Sequence, residues 1–284
     1  MNKIFKVIWS KSKQCYIVVS EIAKNKTGKK KIVVASILAA LTMTANIVTV
    51  EGAIPEGTRT DHLGLAIGTS SNSKSNQSVA IGYASSAEAP GANPENPATA
   101  VGAGANANGA GTVALGLSAN ATGTNAVALG GGSNGGTNKT EATAANTTAI
   151  GFNAKASKSG AAAIGSGAKA SGSDSISFGT DTVADSEKAI AIGAGSKATN
   201  IGATALGRSS AATAASATAV GSLASATGTT ATAVGIEASA SGAESLAIGK
   251  TASATSGRAL AVGTNAKATG ASSVAVGSGA GNSG

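Results

Sequence analysis

A glycine that closes a short apolar tripeptide returns fifteen times between Gly68 and Gly277 at a fixed spacing. Of the fourteen intervals, twelve are 14 residues long and the other two are 20 and 21. The tripeptide is Ala-(Ile/Leu/Val)-Gly everywhere except Ser177-Phe178-Gly179. A short period held in phase for so long specifies a stack of like supersecondary units, each packed on its neighbours.

Fourteen residues are also two heptads, so a coiled coil is the first alternative. The large apolar residues sit two apart, as in Val79 and Ile81 or Leu246 and Ile248. Small residues follow three and five places after the glycine, as in Ala119 and Ala121. That is the pleat of a strand, whereas a heptad needs three-four alternation. Gly, Ser, Thr and Asn fill the rest and all rank below Ala in a helix. Each repeat therefore reads as two short strands and two tight turns, with glycine supplying positive backbone angles at one corner.

Such coils stack with parallel strands about 4.8 Å apart, so fifteen make a rod on the order of 70 Å long. The expected interior is one Val/Leu/Ile pair with a few alanines per coil. A core that thin returns less than the ordering of the backbone costs. The coil is therefore expected to need neighbours above, below and beside it, which means self-association. The two long intervals, 83–101 and 131–150, are expected to leave the rod as loops. The first holds Pro90, Pro94 and Pro97, and proline cannot donate to a ladder.

The formal charge of +8 invites a nucleic-acid partner. Residues 1–53 carry nine lysines against Glu21 and Glu51, while the remainder has 12 basic and 11 acidic residues. The repeat region is thus nearly neutral, and its aromatics, Tyr83, Phe152 and Phe178, form no stacking series. No nucleic-acid partner is expected. The charge belongs to a leader in which Lys31 precedes the apolar run 32–50, followed by small residues, the pattern of a secretory signal. Cleavage is expected between about Ala45 and Ala53, a window read from that pattern. A membrane-spanning helix is the alternative, weakened by Thr42, Thr44, Asn46 and Thr49. The single cysteine, Cys15, lies in the leader, so no disulfide is expected beyond it.

Motifs for chemistry are scarce. Gly249-Lys250-Thr251 has the end of a phosphate-binding loop, but Glu244 stands where that loop needs its first glycine. The glycine-rich run from Gly130 to Gly136 lacks the Asp ligands of a calcium-binding roll. His62 is the sole histidine, and Asp181, Asp185 and Glu187 read as solvated turn residues. No enzyme activity, cofactor or metal site is expected.

Two stretches resemble known families. Ser78-Val79-Ala80-Ile81-Gly82 resembles the core of YadA-like head repeats in trimeric autotransporter adhesins. MNKIFKVIW with the following VVSEIAK resembles the extended signal peptide region of Gram-negative autotransporters. The resemblance implies an all-β fold, a left-handed parallel β-roll (a β-solenoid) of 14-residue coils assembled as a homotrimer. It also implies export, a place at the cell surface or outer membrane, and attachment to host extracellular matrix proteins or cell-surface glycans. Membrane contact is implied only through a C-terminal anchor domain, which does not occur before Gly284, so the chain reads as a fragment or a truncated product. The domains are then an extended signal peptide (1–53, removed), a lead-in (54–64) and the head repeats (65–284).

Candidate ligand-binding residues are the core motif Ser78, Val79, Ala80, Ile81 and Gly82, and one lysine column. Four places after the repeat glycine stand Lys155, Lys169, Lys197 and Lys267, each between small residues and so expected to face outward. The alternatives to adhesion are an inert spacer and an ice-binding solenoid. Ice binding would need Thr-x-Thr on one strand of successive coils, and only Thr230-Ala231-Thr232 has that form there.

Overall fold

The computed structural model describes residues 5–10, 15–20, 64–89, 97–133 and 138–282. The apolar run 32–50, His62, Pro90 and Pro94 lie outside them. The chain divides into units Met1–Thr49 and Val50–Gly284. In the first, strands β1 (Phe5–Ser10) and β2 (Cys15–Ser20) pair as an antiparallel hairpin with Phe5 opposite Ser20.

The second unit is a parallel β-solenoid. Each coil gives a strand ending just before the repeat glycine and a second, mostly shorter one beginning four places after it, or at Glu141 where the second insertion follows Gly130. These build two sheets of fifteen strands each, one from Leu65–Ile67 to Val274–Val276 and the other from Asn72–Ser73 to Gly281–Asn282. Like positions pair coil upon coil, as in Val79 on Thr99 and Ile81 on Val101. The two sheets are therefore columns of equivalent residues.

The interior corrects one expectation. The Val/Leu/Ile pairs do not point into the coil; the residue between them does. Around Gly235 the buried side chains are Ala231, Ala233, Ala238 and Ala240, all fully enclosed. Every buried side chain of the described residues is Ala, Ser or Thr. Two strands so close leave room for little more than a methyl or hydroxyl group. Val79 and Ile81 flank buried Ala80 on the outer surface of the first sheet and are only half buried.

The fourteen-residue coil is two similar halves of seven. Both corners hold a residue in the left-handed region, two and nine places after the glycine, for example Asn265 (φ 59°) and Arg258 (φ 59°). Each donates its amide across to the preceding coil, Asn265 to Lys250 O and Arg258 to Ala243 O, both at 2.9 Å. The seven-residue echo comes from two equivalent corners, with no helix involved.

The repeat glycine itself is demanded twice over. Gly235 has φ +135°, outside the region open to other residues, and a Cβ there would lie 2.4 Å from Gly249 O in the next coil. Gly235→Ala is therefore expected to destabilise the rod by about 2–3 kcal/mol, read as a lower urea midpoint. Gly257→Ala, where a Cβ would meet nothing nearer than 3.8 Å, should leave the midpoint nearly unchanged.

Both insertions bypass the stack. Gly102 N still donates to Ile81 O at 2.8 Å, and Val127 pairs with Thr148 as though nothing intervened. The extra residues are fewer than the sequence intervals suggest and attach at opposite corners; residues 90–96 and 134–137, and with them the expected loops, lie outside the described residues. The first lies between Glu88 and Ala98, after a strand of the second sheet. The second lies between Gly130 and Thr140, after a strand of the first.

Candidate functional site

Two outer faces are available to partners, and they differ in chemistry. On the first sheet, the position just before the repeat glycine is Ile, Leu or Val in every coil but one, where it is Phe178. The position two residues earlier is mostly Val, Leu, Ile or Thr. Because like positions stack, these form an unbroken apolar strip along the rod. Leu206 is 42% exposed and Ile248 38% in the single chain. Monomeric proteins rarely leave so long an apolar surface in water.

The core motif divides across this geometry. Ser78 and Ala80 are fully buried inside the coil and Gly82 sits at the corner, so only Val79 and Ile81 present side chains outward. Ser78 Oγ instead accepts a hydrogen bond from Ala98 N at 3.0 Å, holding the coil that follows the first insertion. The motif therefore serves the stack and the strip; its buried members cannot touch a ligand.

The second sheet carries the lysines. Lys155, Lys169, Lys197 and Lys267 all stand on its outer face, between enclosed alanines or a serine, as their spacing predicts. They do not form one ladder. Lys155 and Lys169 are direct neighbours, but Val183 separates Lys169 from Lys197, and Lys267 lies between Ser253 and Gly281. The adjacent pair is also partly neutralised, Glu141 being shared with Lys139. Lys155 Nζ lies 3.4 Å from Glu141 Oε2, and Lys169 Nζ lies 3.0 Å from Asp185 Oδ1. Such exposed pairs add little stability, but they reduce the repulsion between neighbouring ammonium groups. Asp185 thus has a partner, where sequence reading made it simply a solvated turn residue. Among the described residues, Lys197 and Lys267 make no ion pair.

Sequence reading missed a second column on this sheet, six places after the glycine. It holds Thr213, Thr227, Ser241 and Thr255 in consecutive coils, all exposed. Its signal was present in the spacing but carries no distinctive residue type. The Thr-x-Thr reading fails on geometry: Thr230 occupies a corner at φ 55°, whereas Thr232 lies on the strand. No cluster of three His, Cys, Asp or Glu that could hold a metal is found among the described residues.

Comparison with known families bears on both units. Residues 1–48 match the extended signal peptide of type V secretion systems. The YadA head domain repeat, described as a two-copy unit, matches residues 63–92, 97–119, 107–133, 142–168, 170–196, 198–224, 226–252 and 254–280. No curated protein matches the chain.

Proposed function

Because the chain belongs to the trimeric autotransporter adhesins with YadA-type heads, exported through an extended signal peptide, we propose that its solenoid is the adhesive head of a homotrimer. The observation that carries this reading is the division of faces. The coil interior admits only Ala, Ser and Thr, so the larger apolar side chains are left outside on one sheet. Three chains joined along those strips bury them and complete a core that no single coil contains. The second sheet then faces outward, at the cell surface, in three copies.

That outer face meets host matrix proteins or cell-surface glycans. Its unpaired cations, Lys197 and Lys267, supply weak contacts to acidic groups, and the threefold repetition multiplies them.

The test uses immobilised matrix proteins and acidic glycans. Binding of the full chain should fall severalfold as salt rises above about 0.15 M, because exposed charges are screened within about 8 Å. Replacing Lys155, Lys169, Lys197 and Lys267 by Gln should remove most of that salt dependence, with Lys197→Gln and Lys267→Gln contributing most. Salt-independent binding, or unchanged binding by the quadruple variant, would assign adhesion to other residues.

A further inference from the structure

One coil, together with the coil stacked on it, departs from all the others in three ways at once. In the outer column before the repeat glycine it alone carries an aromatic, Phe178, which is 51% exposed beside Ile176 at 41%. In the coil stacked on it, Ala162 pairs with Ile176 and Ile164 with Phe178. Ala162 is the only alanine in its own outer column, every other member being Leu, Val, Ile or Thr. A notch therefore adjoins a projection, one coil apart, on an otherwise even strip.

The interior of this coil is also different. The buried alanine core runs from Ala80 to Ala170 and again from Ala184 to Ala275, and it is interrupted here. Ser175, Ser177 and Thr182 take its place, fully enclosed. All three hydroxyls are satisfied: Ser175 Oγ donates to Gly172 O at 2.7 Å, Ser177 Oγ to Thr182 Oγ1 at 2.7 Å, and Thr182 Oγ1 to Gly179 O at 3.0 Å. Buried hydroxyls in other coils either bond a nearby carbonyl, as Thr112 Oγ1 does with Gly109 O, or find no partner, as with Ser196, Ser245 and Ser273; among the described residues the Ser177–Thr182 bond alone joins two fully buried side chains. Buried hydrogen-bonded networks fix a single local arrangement. This one holds the strand that presents Phe178.

A repetitive interface has a register problem. Sliding one chain past another by one coil, about 4.8 Å, sets aliphatic side chains against aliphatic side chains again. It sacrifices the contacts of a single coil out of fifteen. Staggered chains also fail to close a ring, and non-closing contacts open the way to larger assemblies.

We propose that Phe178, with the Ala162 notch beside it and the hydrogen-bonded interior behind it, is the register key of self-association. The partner it fits is a second copy of this chain. In the aligned assembly the bulk of Phe178 is accommodated in the space that Ala162 leaves on the neighbouring chain. A one-coil slip moves the ring from Ala162 to Ile176 in one direction and to Thr148 in the other, and leaves the notch unfilled. The proposal rests on the trimer reading above.

The test is electron cryomicroscopy of the full chain, wild type against Phe178→Leu, which restores the ordinary residue of the column, with Ala162→Ile as a second variant that fills the notch. Wild-type particles should form one class with the three Phe178 rings at one height. Either variant should remain trimeric but divide into classes with a chain displaced by one coil, the aligned class falling below about one half as registers become equivalent. A single aligned class in both variants overturns the proposal and leaves the trimer reading intact. Dissociation of Phe178→Leu into monomers also overturns it, since Phe178 would then drive association rather than register. Wild-type monomers overturn both.

Discussion

Leucine in place of Ala233 is expected to unfold the rod from within. Ala233 is fully enclosed between two strands, opposite Ala238 and Ala240 and under the alanines of the coils on either side. The space is fixed by backbone on every side, so a longer side chain cannot be housed by a rotamer change. Overpacking a tight core costs about 3 kcal/mol at its upper range, and a stack transmits the displacement to both neighbours. Circular dichroism should show a thermal transition lowered by many degrees, or none. Ala233→Ser should cost only about 1 kcal/mol for its unmet hydroxyl. Adding Ala238→Thr should recover that loss by recreating the Ser177–Thr182 bond.

The second large effect is on assembly. Ile192→Asp sets a carboxylate in the middle of the apolar strip, flanked in its column by Phe178 and Leu206. In a single chain the charge stays in water and costs little. In the trimer three carboxylates are forced into one apolar layer, where unpaired buried charge costs several kcal/mol per group. The expected result is a folded monomer with shortened thermal stability. Lys197→Asp, on the opposite sheet, should leave the assembly unchanged.

Much of this arrangement was legible before any coordinates. The glycine phase gave the coil length, the two-residue alternation gave strands, and the two long intervals marked the insertions. The outward place of Lys155 and its equivalents followed from the alanines on either side. The direction of the Val/Leu/Ile pairs did not follow. Alternation tells which residues share a face but not which face is inside, and hydrophobicity alone favours turning Val79 and Ile81 inward. Coil width decides the matter: Ser78, Ala80, Ser85 and Ala87 are all small because all four share one narrow interior. The pairing of Lys169 with Asp185 was hidden for another reason. It joins different columns of neighbouring coils, a relation visible only once the stack is built. The equivalence of the two corners was masked because glycine recurs in every coil at one of them and only in some coils, as at Gly109, Gly172 and Gly242, at the other.

The central claim is that an alanine-filled coil becomes a head only by joining its apolar strip to other copies. Multi-angle light scattering of the full chain beside Ile192→Asp tests this most directly. The predicted result is three times the 26.5 kDa chain mass for the wild type and a single chain mass for the variant. A stable, folded wild-type monomer, or a variant that assembles as the wild type does, would contradict it.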